Sequence, residues 1–162
     1  MFDSWVGGLS PLDYELRVWP AMRRLFDGIG GLGVPSIHFA ADSAAFLETF
    51  AAAGGDVIGV DARQSLADVR ARIGHDRAVQ GNLDPARVLA GWTTAEAGAR
   101  AVLAGAGDRP GHVFNLGHAS PRDADPRVLR DLVALVHEVS TASIRPPSSA
   151  TSIPPQELAT HA

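Results

Sequence analysis

The residues with the clearest capacity for chemistry in this sequence are short polar groups that follow apolar, strand-length segments. They are Asp3 and Ser4, Asp61, Asn82 and Asp84, and Asn115 with His118. Polar groups at the carboxyl ends of successive parallel strands converge on one face of a sheet, which is the usual position of a barrel active site. Helix capping is the competing interpretation. It accounts for Asp84 fully and for Asn82 in part, and less well for Asp61 and His118.

Residues 111–118 carry the strongest of these signals. The apolar run from His112 to Leu116 is bounded by glycines and predicts a strand buried on both faces, as in a parallel sheet. Gly117 would let the backbone turn sharply at the end of the strand and would hold His118 at its tip. Taken alone, His118 is better interpreted as a turn histidine without a role.

The other histidines do not suggest a metal site. His38 lies inside a predicted strand, where a hydrogen-bonded core histidine is the better expectation, because residues 38–40 offer no partner ligand. The chain has no cysteine, which excludes disulfides and thiolate metal sites. No role is assigned to His112, and surface positions are expected for the rest, namely His75, His137 and His161.

These groups need a frame, and the chain predicts one of alternating strands and helices. Helix starts are marked by Ser10, Ser65, Asp84, Thr93 or Thr94, and Asp125. If Thr93 is the cap, Glu96 supports a capping box, and Pro20 should kink or divide the first helix. The alternation predicts an α/β fold with a parallel sheet, either a barrel or an open doubly wound sheet. No phosphate-binding glycine fingerprint follows a strand, which disfavours nucleotide binding.

Composition narrows the class of protein. The 162 residues suffice for one domain with a core, and the net charge of -4 provides no basic face for nucleic acid. No apolar run approaches the length of a membrane span, and residues 1–5 do not resemble a secretory signal, so a cytoplasmic protein is expected. Residues 1–140 form the predicted domain, and the Ser/Thr/Pro-rich residues 141–162 are predicted to be a disordered tail.

Four motifs, in this order, resemble the uroporphyrinogen decarboxylase family. They are FDSWVG at residues 2–7, GVD at 59–61, VQGNLDP at 79–85 and FNLGH at 114–118. The resemblance covers roughly residues 2–140 and implies a distorted (β/α)8 TIM barrel that works as a homodimer without a cofactor. A full barrel takes about 250 residues. The chain is therefore expected to form a partial barrel of about five C-terminal βα units.

The resemblance also implies a reaction, the removal of the four acetate carboxyl groups of uroporphyrinogen III to give coproporphyrinogen III. It assigns Ser4 and His118 to the tetrapyrrole pocket as substrate-binding residues. The family's substrate-binding arginines, its aspartate facing the pyrrole nitrogens and a pocket tyrosine belong to the first half of the barrel. No catalytic residue is therefore expected in this chain, and Asp61 does not match the missing aspartate.

We therefore predict that the chain alone has negligible decarboxylase activity and self-associates, as a homodimer or an aggregate, through open barrel edges. Two alternatives are kept. One is a non-catalytic remnant, or a subunit that completes its barrel with a separately encoded N-terminal half. The other, less favoured, is a relative of the corrinoid methyltransferases, which would need a zinc-binding His-x-Cys motif where this chain has His38, Phe39 and Ala40.

Overall fold

The computed structural model describes residues 1–143 of the chain, and within them five strands form one parallel sheet in sequential order. The strands are β1 (Phe2–Asp3), β2 (Ile37–Ala40), β3 (Val57–Val60), β4 (Ala78–Leu83) and β5 (His112–Leu116). The helices are α1 (Pro11–Asp13), α2 (Trp19–Ile29), α3 (Leu47–Ala53), α4 (Leu66–Ile73), α5 (Pro85–Leu89), α6 (Trp92–Ala106) and α7 (Pro126–Ser143). This confirms the predicted α/β fold of about five βα units.

The helices cover one face of the sheet, because alternate residues of a strand point the same way and most of those on this face are apolar. Ile58 and Val60 of β3 and Val79 of β4 pack with Phe50 and Val69 from the helices in the main core. A second core lies further along the sheet, where β4, β5 and the last helices meet; it contains Leu83, Val88, Ala95, Ala99, Val128, Leu132 and Leu135. The opposite face of the sheet is therefore left to form a site.

Most helix starts follow the predicted capping chemistry. The Ser10 hydroxyl accepts the Asp13 N–H at 3.1 Å, the Ser65 hydroxyl accepts the Asp68 N–H at 3.0 Å, and Asp84 caps α5. The first helix is divided as Pro20 predicts. A π-helical segment, Tyr14–Val18, separates α1 from α2 just before the proline, which has no N–H to continue the ladder.

The predicted start of α6 is wrong. The helix begins at Trp92 with Gly91 as its N-cap, and neither Thr93 nor Thr94 caps it. Gly91 has φ of 94°, a conformation that favours glycine, and it turns the chain into the helix before either threonine is reached. Glu96 pairs with Arg100 one turn later instead of completing a capping box.

The burial of β5 also differs from the prediction. Its residues alternate between half-buried and exposed, with Val113 43% exposed, whereas β3 is buried throughout. β5 is the last strand of the described sheet, and helices cover only one of its faces, so the other face is open.

No helix of the described residues is both long and apolar enough to cross a membrane.

The end of α7 reaches into the segment predicted as a tail. The helix runs to Ser143, so the first three residues of that segment are helical. The predicted disorder of the remaining residues, 144–162, lies outside the residues that the structure describes.

Candidate functional site

A cavity of about 370 Å³ lies at the carboxyl ends of the strands, on the sheet face that the helices leave uncovered. Its lining comes from β1 and β2 on one side and from β5 and the following loop on the other, and consists of Phe2, Ser4, Phe39, Asn115, Leu116, His118, Ala119 and Ser120. β1 and β5 are the two outer strands of the sheet. Because both contribute to one cavity, the sheet curves around it as it would in a barrel.

The two residues predicted to bind substrate lie on this cavity together. Ser4 follows β1 directly, and His118 follows β5 after a single glycine, so each extends beyond the end of an outer strand. Both are exposed. Residues separated by more than a hundred positions in sequence are thus brought to one opening by the parallel arrangement of the strands.

The cavity combines an aromatic wall with hydrogen-bonding side chains. The rings of Phe2 and Phe39, neighbours in the β1–β2 register, lie 5.5 Å apart between centroids. Ser4, Asn115, His118 and Ser120 provide the polar groups, and no Asp, Glu, Arg or Lys of the described residues lines the cavity. This lining suits a ligand with a broad apolar face and hydrogen-bond acceptors at its edge.

Asp61 is a structural carboxylate and does not line this cavity. It is 4% exposed; one carboxylate oxygen accepts the N–H of Asp42, and the other accepts the N–H of Arg63 at 2.9 Å. Asp42 has φ of 58°, so this bond holds a left-handed turn after β2. Capping of backbone groups, which the sequence favours less for Asp61 than for Asp84, is what the structure shows for both oxygens of Asp61.

Three more of the polar groups at the strand ends, Asp3, Asn82 and Asp84, also bond to the backbone. Asp3 accepts the N–H groups of Trp5 and Val6, and Asp84 accepts that of Ala86. The side-chain amide of Asn82, which follows a cis peptide bond, donates to the carbonyl of Asp61 at 2.8 Å. Of the seven polar residues proposed from sequence, Ser4, Asn115 and His118 therefore meet at the cavity.

Glycine is required at position 117 for a reason different from the predicted sharp turn of the backbone. Its φ is not in the left-handed region, but a Cβ built there would lie 2.4 Å from the Ala62 nitrogen. The glycine is needed because β5 ends directly against the chain that follows β3. This close approach fixes the backbone position of Gly117, and with it the position of the next residue, His118.

His38 is a core residue, as expected. It is 2% exposed, lies between the rings of Phe26 and Phe50 at 4.6 and 3.9 Å, and its Nδ1–H donates to the Gly54 carbonyl at 3.2 Å. Burial lowers the pKa of His38 to about 4. Its side chain packs among helices on the side of the sheet away from the cavity.

Sequence reasoning missed a buried group, Arg70, and a half-buried one, His112, at the opposite end of the strands. Arg70, 6% exposed, donates to the carbonyls of Arg77 and Gly111, each at 2.7 Å, and burial lowers the pKa of its guanidinium. His112 donates to the Gly81 carbonyl at 2.8 Å, and burial lowers its pKa also. The helical spacing of Leu66 and Arg70 places both on the buried face of α4, a signal that the sequence did contain.

No group of three or more His, Cys, Asp or Glu residues in the described part of the chain is arranged to hold a metal ion. The polar groups of the cavity are hydroxyls, one amide and one imidazole. These groups bind ligands by donating and accepting hydrogen bonds.

Comparisons with known proteins give one family. The family model described as uroporphyrinogen decarboxylase (URO-D) matches residues 1–139. A uroporphyrinogen decarboxylase of Carboxydothermus hydrogenoformans is 48% identical over 143 residues, covering 88% of this chain and 41% of the relative. One of Streptomyces coelicolor is 47% identical over 141 residues, covering 87% of this chain and 40% of the relative. The chain thus spans about two fifths of the length of these curated relatives.

A solved structure supports the fold alone. A methyltransferase from Methanosarcina mazei superposes with a TM-score of 0.73 over 86% of this chain and 41% of that protein, at 16% sequence identity. At this identity the likeness concerns the path of the backbone and not the chemistry of the site.

Proposed function

This chain belongs to the uroporphyrinogen decarboxylase family, and from that membership we propose that it supplies one side of a tetrapyrrole-binding decarboxylase site. The reaction is the removal of the acetate carboxyl groups of uroporphyrinogen III to give coproporphyrinogen III. One observation carries the proposal: Ser4 and His118 lie on a single cavity beside an aromatic wall.

The cavity's chemistry matches such a substrate in two respects. Pyrrole rings are flat and largely apolar, and the wall of Phe2 and Phe39 offers them a face to pack on. Carboxylate arms accept hydrogen bonds, and the Ser4 hydroxyl and the His118 imidazole can donate them at the rim. Ser4 and His118 are therefore proposed as substrate-binding residues.

The chemical step itself requires groups beyond this cavity. Loss of carbon dioxide leaves an electron pair that a protonated pyrrole can accept, and a nearby carboxylate stabilises the positive charge of that ring. No carboxylate and no arginine of the described residues lines the cavity. In the family these groups come from the earlier strands of the barrel. The 162-residue chain alone is therefore proposed to have negligible activity.

The proposal assigns partners as well. The tetrapyrrole is the small-molecule partner, and a polypeptide that provides the earlier strands is needed for catalysis. By itself the chain is proposed to form homodimers or larger assemblies through the outer strands of its open sheet. A cytoplasmic location is part of the same proposal.

Complementation tests this function. The chain would be co-expressed with the part of the Streptomyces coelicolor relative that it does not match, and coproporphyrinogen formation would be measured by chromatography after oxidation to porphyrins. We expect activity from the mixture and none from either polypeptide alone. Product from the purified chain alone, or none from a mixture that forms a stable complex, would contradict the proposal. The second outcome would favour a non-catalytic remnant.

Variants in the complemented enzyme test the two site residues. Ser4→Ala and His118→Ala are each expected to lower kcat/KM about ten- to hundredfold, the value of one hydrogen bond to a charged group. Thr93→Ala and His75→Ala are matched controls, because both residues are exposed and neither lines the cavity. Equal kinetics for site and control variants would remove Ser4 and His118 from the site.

A further inference from the structure

Asn115 lies on the cavity with Ser4 and His118, and the reaction described above gives it no role. It is the fourth residue of β5, its side chain is exposed, and it stands opposite Asn82 in the β4–β5 register. It lines the same cavity as Ser4 and His118. It also borders a smaller apolar groove of about 260 Å³ between β5 and α7.

The carbonyl oxygen of the Asn115 side chain is already engaged. The Gly117 N–H donates to the Leu83 carbonyl at 2.8 Å, so β5 directs the N–H groups of its odd-numbered residues toward β4. The N–H of Leu116 consequently faces the outer edge of the sheet. There it donates to Asn115 Oδ1 at 2.9 Å. The Asn115 side chain thus caps the Leu116 N–H, which has no partner strand among the described residues.

The amide nitrogen of Asn115 is left with its donors available. It makes no hydrogen bond within residues 1–143. A primary amide that accepts one hydrogen bond at its oxygen still offers both of its N–H groups, and a neutral donor of this kind suits a carboxylate oxygen. Because Oδ1 is held by the adjacent backbone, the orientation of the amide is set before a ligand arrives.

We propose that Asn115 is a specificity-determining residue of the cavity, which donates from its amide nitrogen to a carboxylate arm of the bound ligand. This inference rests on the proposed function and deepens it by adding a third contact. The contact distinguishes an arm that ends in a carboxylate from an arm that ends in a methyl group, because a methyl group accepts no hydrogen bond. Asn115 is thus assigned to selection of the arm and not to the bond-breaking step.

Two substitutions separate the amide's role in binding from its role as a cap. Asn115→Asp has nearly the same shape and keeps an oxygen for the Leu116 N–H, but it places a negative charge where the donor was. Asn115→Ala removes both functions without adding charge. Thr93→Asp introduces the same charge at an exposed position of α6 and is the matched control.

Steady-state kinetics of the complemented enzyme with uroporphyrinogen provide the readout, at two salt concentrations. We expect KM to rise about tenfold for Asn115→Ala and more for Asn115→Asp, with kcat changed less than KM. High salt should recover part of the Asn115→Asp loss, because it screens carboxylate repulsion, and little of the Asn115→Ala loss. Melting temperatures of Asn115→Asp and the unsubstituted protein should agree within a few degrees.

Unchanged KM in Asn115→Asp, or a loss of melting temperature without a change in KM, would overturn the inference and leave Asn115 as a strand cap. If the complemented enzyme makes no coproporphyrinogen, the proposed function fails separately. Binding of fluorescent uroporphyrin III, which keeps all its carboxylate arms, to the purified chain then decides the role of Asn115. Binding weakened about tenfold or more by Asn115→Asp supports it, and absent or equal binding overturns it.

Discussion

His38 shows how the fold determines the protonation state of a single residue. Its Nδ1 must carry the proton in the neutral ring, because the Gly54 carbonyl only accepts hydrogen bonds. Nε2 is then the position that a second proton would occupy, in a pocket formed by the rings of Phe26 and Phe50. Burial there disfavours the charged form and lowers the pKa of His38 to about 4.

The free energy of unfolding should therefore depend on pH through His38. Between about pH 6.5 and pH 4 the unfolded chain binds a proton at this histidine that the folded chain does not, so stability falls as pH falls through that range. We expect a loss of about 1–2 kcal/mol between pH 7 and pH 5 from this group. Urea unfolding at several pH values measures it.

The matched variant is His38→Asn, which retains a donor toward the Gly54 carbonyl and cannot titrate. It should be less stable at pH 7 but should show a shallower decline between pH 7 and pH 5. The burial of His112 lowers its pKa in the same direction, so part of the slope should persist in His38→Asn. An identical slope in both proteins would show that His38 is not the titrating group.

At this scale, residue type and position predicted where polar groups would lie but not which of them would face the cavity. Asp3 and Ser4 are adjacent and both polar, yet Asp3 bonds to the following backbone and Ser4 lines the cavity. Successive residues of a strand point to opposite sides. Whether a residue of β1 lines the cavity depends on which side of the strand faces the helices, and the register of β1 with β2 determines that side.

Arg70 connects three elements at the amino ends of the strands. From α4 its guanidinium reaches the carbonyl of Arg77, just before β4, and that of Gly111, just before β5. No carboxylate pairs with it among the described residues, so the two carbonyls are its partners. One buried side chain thereby holds the starts of two neighbouring strands in register with a helix.

Replacement of Arg70 should cost far more than replacement of its neighbour Arg72. Arg70→Met would remove the donor to the Arg77 carbonyl and one of the two donors to the Gly111 carbonyl, which would keep the Val79 N–H. We expect a loss of about 1–3 kcal/mol in the free energy of unfolding. Arg72 pairs with Glu48 on the surface at 2.6 Å, and Arg72→Met should cost less than about 1 kcal/mol. Chemical denaturation of both variants compares them. Similar losses would mean that Arg70 is not the connection proposed.

Element order and most helix starts were predictable because they depend on local chemistry. Ser10, Ser65 and Asp84 bond to N–H groups within three residues, so the sequence around each contains the whole interaction. The exposure of β5 was not predictable in this way. It depends on which strands lie beside β5 and on what covers its second face, both of which are properties of the assembled sheet.

The whole molecule presents a curved sheet with two open sides. β1 and β5 each have one neighbouring strand in the described structure. Apolar side chains are exposed beside them: Phe2 is 63% exposed, Trp5 88% and Val133, on α7, 57%. Val133 borders the groove between β5 and α7, where the strand and helix of a further unit would pack. Unpaired edges with apolar borders favour association with another chain.

The purified chain is therefore expected to self-associate in a concentration-dependent manner, as measured by sedimentation velocity at micromolar concentrations. Val133→Lys should raise the dissociation constant about tenfold or more, because it places a charge on the apolar groove. The same substitution should reduce complementation by the relative's remaining segment, since both partners would use this side of the sheet.

Val34→Lys is the matched control for that prediction. Val34 is 67% exposed in the connection between α2 and β2 and does not line the β5–α7 groove, so its substitution should change neither association nor complementation. If the unsubstituted chain is monomeric at every concentration, the open sides do not drive assembly. If Val34→Lys disrupts association as strongly as Val133→Lys, the added positive charge controls self-association and the β5–α7 groove does not. Selective loss in Val133→Lys would instead place the contact at the open side of the sheet, where a barrel would continue.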